Sequence, residues 1–446
     1  MNQFKSILLI TSVLFISIFL SCSDKESVLP DVTPGIESAP NIILLIADDL
    51  GWDAFGDYPG MNGIKANTPT IDSLALNGIS FLNFWTNPIC APTRASMLAG
   101  KYAFRTGVGG IQIPQEATLQ SEETIIQKYI SDRTSNEYAS AVIGKWHVSS
   151  ASDLNAPENF GIDYYAGMFL GAVPDYYDWT QTSAGIQENI TTYATTHLVN
   201  QSVSWIEQQS KPFFLWLSFN APHTPFHLPP SQLISDQSLT DNQAAIDADP
   251  LPYYLASIET MDKEIARLIS SLSPEQQENT VFIFLGDNGT PVQVSQTPYA
   301  ANRVKGKLFQ GGINTPLIIS GKNISRKNVT EIALVQAPDM FATIADLAGA
   351  GDDNYQDGMS LKPLLTDAEA TKRTFTYSEQ FGSTNMVNDG YTIRNEEYKL
   401  IHLDSGTEYF YQLSTDPFEE NDLLSETLSA EAQQNLDEIR QIKTDL

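Results

Sequence analysis

Cysteine is scarce in this chain, with two among 446 residues. So few cysteines argue against a disulfide framework, and a chain of this length can bury a core large enough to fold without one. Basic side chains are also in short supply, because 25 Lys and Arg stand against 54 Asp and Glu, for a net charge of −29. This balance argues against nucleic acid as a partner. Any anion site must therefore rest on a local cluster of basic residues.

The chain also lacks an apolar run long enough to indicate a membrane-spanning helix clearly. A shorter run, residues 7–20, ends just before Cys22, so residues 1–21 are predicted to be a secretory signal. The small residue before Cys22 resembles a bacterial lipoprotein cleavage site, in which this cysteine becomes the lipidated first residue. A plain secretory signal with an incidental cysteine is the alternative. Residues 22–39 are predicted to be a flexible linker. The mature protein is then exported and lipid-anchored at the outer membrane, on its periplasmic or cell-surface face.

Four short apolar runs share one pattern, in which hydrophobic residues do not alternate and polar residues follow at once. These runs are residues 41–47, 139–143, 213–219 and 280–285. A run without alternation predicts a strand buried on both faces, as in a parallel sheet. Helix-like segments, such as Pro69–Asn77 and Tyr254–Leu272, lie between the runs. The order predicts an α/β fold, with a mostly parallel central sheet sandwiched by helices. In such sheets, ligands bind beyond the carboxyl ends of the strands.

Carboxylates and an amide follow two of these strands. Asp48 and Asp49 come directly after the first, and Asp287 and Asn288 come just after the last. These side chains supply oxygen ligands, which suit a hard cation such as Ca²⁺ or Mg²⁺. The alternative is that the first pair caps a helix and the second forms an ordinary turn. Because both pairs fall at strand ends, we expect a metal site.

Basic and imidazole side chains follow the other strands or lie near them. Arg94, Lys145 and Lys305 are candidates to surround a doubly charged oxyanion, and His147 and His223 are candidates to move protons. Lys145 and His147 are two positions apart, which places their side chains on one face of an extended segment. A solvated or core role is the alternative for each. His227 is a weaker candidate for contact with substrate, and Trp85, Tyr102 and Arg303 are candidate pocket residues for which a structural role is favoured.

The most informative stretch is Cys90-Ala-Pro-Thr-Arg-Ala-Ser-Met-Leu-Ala-Gly-Lys101. It resembles the sulfatase signature, in which a maturation enzyme oxidises the first residue to Cα-formylglycine. A buried structural cysteine in a turn before a helix is the alternative. Other blocks resemble the same family, and they are Asn41–Trp52, Gly144–His147, Asn220–Pro225, Gly286–Gly289 and Lys305–Gly312.

From residue 40 to residue 446, the chain thus resembles a type I sulfatase of the alkaline phosphatase superfamily. The resemblance implies an alkaline phosphatase-like catalytic domain over residues 40–369. It also implies a small C-terminal α+β subdomain with an antiparallel sheet over residues 370–446. Lysine stands six positions before the paired glycines in the family block, which selects Lys305 over Lys307. The chain departs from the usual pattern at three positions, Thr93 for serine, Gln310 for glutamate and Asn314 for arginine.

The resemblance also implies a mechanism. A formylglycine-generating maturation enzyme would convert Cys90, and a divalent cation, Ca²⁺ or Mg²⁺, would bind Asp48, Asp49, Asp287, Asn288 and the modified residue 90. Hydrated formylglycine carries two hydroxyls on one carbon, of which one attacks sulfur and the other later expels sulfate. Arg94, Lys145 and Lys305 would hold the sulfonate oxygens. His223 would protonate the leaving alcohol, and His147 would help to deprotonate the second hydroxyl.

An exported sulfatase with a lipid anchor suggests a sulfated poly- or oligosaccharide as substrate. The segment Pro174–Trp179 contains aromatic residues that are candidates to stack on sugar rings, although a structural role is favoured. Two other functions stay open. One is a phosphodiesterase or phosphonate monoester hydrolase of the same superfamily, and the other is a catalytically inactive glycan-binding lipoprotein.

Overall fold

The computed structural model describes residues 39–110, 118–351, 354–382 and 386–446, and the counts below refer to these residues. A ten-stranded sheet forms the centre. Its strands are β1 (Asn41–Ala47), β2 (Gly78–Trp85), β3 (Ala139–Lys145), β4 (Tyr164–Met168), β5 (Trp179–Ser183), β6 (Ile186–Ile190), β7 (Phe213–Ser218), β8 (Thr280–Gly286), β9 (Asn314–Gly321) and β10 (Val329–Gln336). They lie in the order β10-β2-β9-β8-β1-β7-β3-β4-β5-β6. Within the described ranges, five of the nine neighbouring pairs are parallel.

Helices cover the sheet on both faces. They are α1 (Pro69–Leu76), α2 (Cys90–Ala99), α3 (Ala103–Thr106), α4 (Ile126–Arg133), α5 (Ala156–Asn159), α6 (Ala194–Ile206), α7 (Gln243–Ala248), α8 (Leu251–Ser271), α9 (Pro274–Glu278), α10 (Gln310–Ile313), α11 (Asp339–Leu347) and α12 (Ala430–Asp445). The helix predicted from Tyr254 begins earlier, at Leu251, with Pro252 in its first turn, where proline is tolerated.

The central strand β1 shows why its sequence does not alternate. Ile42, Leu44 and Ile46 belong to one hydrophobic core, whereas Ile43 and Leu45 belong to a second core. Successive side chains of a strand point to opposite faces, so both faces of β1 must be apolar. The prediction of a sheet sandwiched by helices is confirmed.

The four predicted strands are neighbours in the middle of the sheet, in the order β8-β1-β7-β3. All three of their pairings are parallel. Ala47 at the end of β1 lies opposite Gly286 at the end of β8, and Gly144 in β3 lies opposite Ser218 at the end of β7. The carboxyl ends therefore meet along one edge. The polar residues that follow the strands are delivered to the same place.

The C-terminal part contains a second, antiparallel sheet, as expected. Two short strands, β11 (Asn354–Tyr355) and β12 (Gly358–Met359), precede β13 (Thr376–Gln380), β14 (Gly390–Arg394), β15 (Tyr398–Leu403) and β16 (Glu408–Gln412). The last four form the sheet, and α12 packs on it through Leu436 and Ile439, which share a core with Leu400 and Phe410. Ser378 in β13 donates a 2.8 Å hydrogen bond to the carbonyl oxygen of Thr86, which ties the small sheet to the segment after β2.

The predicted secretory signal, residues 1–21, lies outside the described residues, as does the predicted linker 22–39 except for Ala39. Across the part of the chain that is described, no helix combines the length and the apolar character needed to cross a membrane.

Candidate active site

Cys90 is the first residue of α2, at the carboxyl edge of the sheet. Its side chain is buried, and its Sγ lies 3.3 Å from Nδ1 of His147. Helix α2 is buried along its whole length and ends at Gly100, whose left-handed backbone closes the last turn. Pro92 stands in the first turn, where its missing N–H breaks no helical hydrogen bond. The sequence motif is thus a buried helix that holds position 90 in place.

Two carboxylates at the end of β1 each face a lysine. Asp48 accepts a 2.6 Å hydrogen bond from Nζ of Lys145, and both side chains are inaccessible to solvent. Asp49 accepts a 2.6 Å hydrogen bond from Nζ of Lys305, a side chain that is partly exposed. The backbone of Asp49 is left-handed, with φ of 74°, and Tyr254 donates a 2.7 Å hydrogen bond to its carbonyl oxygen. One lysine therefore lies deep in the site and the other at its mouth.

Arg94 and Asp287 form a second buried ion pair of the site. Nε and Nη2 of Arg94 lie 2.9 and 2.7 Å from Oδ2 of Asp287, and neither residue is exposed. The second terminal nitrogen of Arg94 donates to the carbonyl oxygen of Lys145 and to the hydroxyl of Ser218. Charge-assisted bonds in a dry interior hold a guanidinium firmly. The arginine is locked in one orientation by groups from β3, β7 and β8.

His223 lies next to Asp49. Its Nε2 is 3.6 Å from Oδ2 of Asp49, and its Nδ1 lies 2.7 Å from the carbonyl oxygen of Thr224. The hydroxyl of Tyr176 donates to the carbonyl oxygens of Asn220 and His223, each at 2.8 Å. Because the imidazole is about one-seventh exposed, with a side-chain exposure of 15%, His223 faces the mouth of the site.

The oxygen ligands fit a divalent cation. The side-chain oxygens of Asp48 and Asp287 and the sulfur of Cys90 lie within 4.8 Å of one another, as do ligand atoms of Asp48, Asp49 and His223. Among the described residues, Oδ1 of Asp48 and Oδ1 of Asn288 are buried and have no hydrogen-bond partner. A buried polar atom without a partner is costly, and a cation would satisfy both oxygens. Carboxylate and amide oxygens are the ligands that Ca²⁺ and Mg²⁺ prefer.

Burial and neighbouring charges shift the pKa values of two residues in the site. Burial alone would raise the pKa of Asp49, but the charges of Lys305 and His223 outweigh it and lower that pKa to about 2. Burial, together with the charges of Lys145 and Arg94, holds the pKa of His147 well below its ordinary value. At neutral pH, the structure therefore presents an ionised carboxylate at Asp49 and a neutral imidazole beside Cys90.

All ten predicted site residues are brought to this edge of the sheet. They are Asp48, Asp49, Cys90, Arg94, Lys145, His147, His223, Asp287, Asn288 and Lys305. One geometric reason was wrong. The chain is not extended through His147, because that residue is left-handed with φ of 59°. The turn still aims its ring at Cys90, while Lys145 reaches Asp48 from the end of β3.

Sequence reasoning missed two residues of the site. Ser218 contacts Arg94, and the only available signal was a hydroxyl that ends the otherwise apolar run of β7. Gly171 lies directly against the ring of His147, since a Cβ at this position would stand 2.6 Å from Cε1. Nothing in its local sequence marks Gly171, because its partner is 24 residues away in the chain.

The weaker candidates have structural contacts. The ring of His227 stacks on Tyr176 with ring centres 3.9 Å apart, and its two nitrogens contact the Tyr193 hydroxyl and the Pro225 carbonyl oxygen. Trp85 and Tyr102 are buried, and Arg303 lies over the ring of Phe309. In the segment Pro174–Trp179, Tyr176 and Trp179 are buried and Tyr177 is partly exposed.

The three departures from the family pattern are accommodated by hydrogen bonds. Thr93 accepts a 2.9 Å hydrogen bond from the backbone N–H of Asn87. Gln310 accepts one of 3.0 Å from the indole N–H of Trp85, and Asn314 donates one of 3.3 Å to the hydroxyl of Tyr58. None of the three touches Cys90 or the carboxylates in these contacts. They belong to the support of the site.

A locked guanidinium, two lysines and a carboxylate cluster around one buried reactive position are suited to an enzyme that cleaves an anionic ester. The chain belongs to the sulfatase family, which it matches over residues 40–350. Residues 304–445 also match the family described as N-sulphoglucosamine sulphohydrolase, C-terminal. The protein is therefore a sulfuric ester hydrolase.

Relatives of known name share about a quarter of their residues with this chain. Arylsulfatase G of Rattus norvegicus is 25% identical over 421 residues, which cover 82% of this chain and 76% of the relative. N-acetylgalactosamine-6-sulfatase of Canis lupus familiaris is 26% identical, covering 77% and 69%. The ulvan-active sulfatase of Formosa agariphila is 25% identical, covering 94% and 83%.

Solved structures confirm the fold. Ps i-CgsB in complex with k-i-k-neocarrahexaose superposes with a TM-score of 0.75 at 24% identity, covering 91% of this chain and 92% of that one. BT4656 in complex with its substrate D-glucosamine-2-N,6-O-disulfate superposes with a TM-score of 0.70 at 21% identity, covering 92% and 97%. The alkaline phosphatase-like fold expected from the sequence is thereby confirmed.

The contact between Gly171 and His147 predicts that a single methyl group impairs catalysis. In Gly171→Ala, the new Cβ would stand 2.6 Å from Cε1 and 2.8 Å from Nε2 of the imidazole, so the ring must leave its present position beside Cys90. A misplacement of about 1 Å at a catalytic group can cost about 100-fold in rate. We expect kcat on 4-nitrophenyl sulfate to fall between about ten- and 100-fold, with a smaller change in KM.

Gly351→Ala is the matched control, because its Cβ would meet no atom closer than 3.3 Å. We expect the control to keep the kcat of the wild-type enzyme. A Gly171→Ala enzyme with full kcat would show that the ring of His147 can move without loss.

Proposed function

We propose that this sulfatase hydrolyses sulfate esters of sulfated poly- or oligosaccharides, with a formylglycine made from Cys90 and with a divalent cation. The observation that carries the proposal is the position of Cys90. It begins a buried helix, lies 3.3 Å from His147, and shares a 4.8 Å cluster with Asp48 and Asp287. A structural cysteine needs neither a base nor carboxylates beside it.

The substrate class is supported by what the relatives act on or bind. One curated relative is named as active on ulvan, and two superposed structures hold a neocarrahexaose and a sulfated glucosamine. All three names refer to carbohydrates. A carbohydrate substrate also agrees with the sequence-based expectation of an exported enzyme.

Two groups outside the twenty amino acids would take part. Hydrated formylglycine supplies two hydroxyls on one carbon, so that one can attack sulfur and the other can later release sulfate. The cation would be held by Asp48, Asp49, Asp287, Asn288 and position 90, and it would supply positive charge for the bound sulfate. The side chains present in the structure bind the sulfate and move the protons.

Three cations of the chain bind the sulfate and stabilise charge that develops on its oxygens. Arg94 and Lys145 form the floor, where burial strengthens their field, and Lys305 closes the mouth. These groups are held before substrate arrives, by ion pairs with Asp287, Asp48 and Asp49. A preorganised clamp does not have to be built during the reaction.

Two imidazoles move the protons. Nδ1 of His147 lies next to position 90, where it accepts the proton of the hydroxyl that releases sulfate. His223 lies at the mouth, on the side from which the alcohol must leave, and its Nε2 donates a proton to the leaving oxygen. Each histidine thus serves one half of the reaction.

The test is peptide mass spectrometry across position 90 on protein from its native host. We expect the mass of an aldehyde or of its hydrate in place of the thiol. An unmodified thiol in folded, metal-loaded and active protein would contradict the proposal. Rates on 4-nitrophenyl sulfate and on bis(4-nitrophenyl) phosphate then separate a sulfatase from a phosphodiesterase, since faster turnover of the phosphodiester would favour the second.

We also propose that the mature protein is exported and anchored by a lipid on Cys22. The support is the sequence, in which an apolar run over residues 7–20 precedes Ser21 and Cys22. Cys22→Ser should prevent lipidation and move the protein from the membrane fraction to the soluble fraction. If the variant and the wild-type protein distribute in the same way between the two fractions, the lipid anchor is contradicted.

A further inference from the structure

The cations of the active site share a feature that a neighbouring lysine lacks. Arg94, Lys145 and Lys305 each form an ion pair with a carboxylate at 2.5 to 2.7 Å. Nζ of Lys307 instead donates a 2.6 Å hydrogen bond to Oδ1 of Asn388, a neutral amide. In the described residues, no carboxylate pairs with Lys307. Within the described ranges, its charge is thus left without a carboxylate partner.

Lys307 lies in the loop that forms the mouth of the site. It follows Lys305 by two residues, so the two Cα atoms are at most about 7.6 Å apart. The N–H of Gly306, between the two lysines, donates a 2.8 Å hydrogen bond to the carbonyl oxygen of Pro88, two residues before Cys90. Asn388 belongs to the segment between β13 and β14. Lys307 therefore joins the loop that carries Lys305 to the segment that carries Asn388.

Two costs act on the side chain of Lys307. Burial lowers the pKa of Lys307, and no charge in the described part of the chain acts to raise it. Holding a long flexible side chain against a neutral amide also costs conformational entropy. An anion that binds there would compensate the first of these costs, because it would pair with the partly buried charge.

We propose that Lys307 binds a second anionic group of the substrate, a sulfate or a carboxylate on the sugar that carries the scissile sulfate or on the next sugar. Lys305 and Lys307 then divide the work. Lys305, already paired with Asp49, belongs to the reaction, and Lys307 selects glycans that carry more than one negative charge. This inference rests on the proposed function, because it names the class of sulfated glycan that the same site prefers.

The experiment compares substrates that differ by one anionic group. Suitable pairs are N-acetyl-D-glucosamine 6-sulfate with D-glucosamine-2-N,6-O-disulfate, neocarrabiose with one or two sulfates, and a sulfated disaccharide with or without a uronic acid carboxylate. For each pair, the ratio of kcat/KM for the doubly charged over the singly charged member is measured. We expect the wild-type enzyme to favour the doubly charged member by about ten-fold or more in at least one pair, as charge-assisted contacts allow.

Variants then assign the preference to Lys307. Lys307→Met should lower the ratio to about one, and Lys307→Arg should keep most of it, because the charge is retained. Lys128→Met is the matched control, since that lysine pairs with Asp132 on α4, and it should leave the ratio unchanged. Whether the sulfate pairs or the carboxylate pair respond identifies the second anion.

The possible failures are distinguishable. If the wild-type enzyme hydrolyses the sulfate esters but shows no preference within any pair, the role of Lys307 is overturned. The same holds if Lys307→Met keeps the preference. In both cases the proposed sulfatase function is unaffected. If no sulfated sugar in the set and no aryl sulfate is hydrolysed by mature, metal-loaded protein, the proposed function itself fails.

Discussion

Replacing Cys90 by alanine is expected to lower kcat on 4-nitrophenyl sulfate by about 10⁴-fold or more, since loss of a nucleophile removes most of the catalysis in enzymes of this type. The physical reason is that the site has no substitute for the group at position 90. The side chain of His147, with Nδ1 at 3.3 Å from the sulfur, is placed to accept a proton. Kinetics with the purified variant, loaded with Ca²⁺ or Mg²⁺, test this expectation.

The same variant should fold. Cys90 contributes a thiol with one hydrogen-bond contact at 3.3 Å, and its removal leaves the ion pairs of the site intact. Cys90→Ser is the matched variant. Serine is close to cysteine in size and carries one hydroxyl, whereas hydrated formylglycine carries two hydroxyls on the same carbon. We expect it to be inactive too, with mass spectrometry confirming that serine remains. Full activity of either variant would contradict a modified nucleophile at this position.

Much of this site was predictable because strands of a parallel sheet end together. The run Asn41–Ala47 predicted a buried strand, and the residues after it had to lie at the carboxyl edge. The same argument placed Lys145 and Asp287 there, from β3 and β8. Neither prediction required knowledge of a side-chain contact. Local hydrophobic pattern and the geometry of parallel strands were sufficient.

The partners of these residues were not predictable in the same way. Arg94 and Asp287 are 193 residues apart, and Lys305 and Asp49 are 256 apart, so no local pattern joins them. The sequence pattern predicted an extended segment through His147, but the backbone there is left-handed. The ring still reaches Cys90. Gly171 shows the same limit, since its role depends on an imidazole that another segment brings against it. Tertiary packing decides these contacts.

The ion pairs also explain how an acidic chain holds an anion site. The net charge is −29, yet three cations converge where three carboxylates already balance them. The proposed divalent cation would add two positive charges to this balanced set, which would offset the charge of an incoming sulfate. At ordinary ionic strength, the distant acidic residues are screened beyond about 10 Å. Local pairing therefore decides the sign of the field in the site.

The buried pair of Arg94 and Asp287 provides the second large effect. In Asp287→Leu, the guanidinium loses the carboxylate that accepts two of its hydrogen bonds at 2.9 and 2.7 Å, in a place that solvent does not reach. Removing one partner of a buried pair costs about 3–5 kcal/mol, because the other charge remains buried and unpaired. We expect that loss in the free energy of unfolding, measured in urea with a chelator present, and no detectable hydrolysis of 4-nitrophenyl sulfate when metal is restored.

The double variant Arg94→Met/Asp287→Leu separates stability from function. Replacing both charges by apolar side chains removes the unpaired ion, and such replacements are often neutral or stabilising. We therefore expect the double variant to regain part of the lost free energy, although the Lys145 carbonyl and the Ser218 hydroxyl lose the arginine that donates to them. It should remain inactive. A double variant no more stable than Asp287→Leu would show that the pair itself supports the fold. Recovery of stability without activity would mean that the chain keeps this costly buried pair for the sulfate.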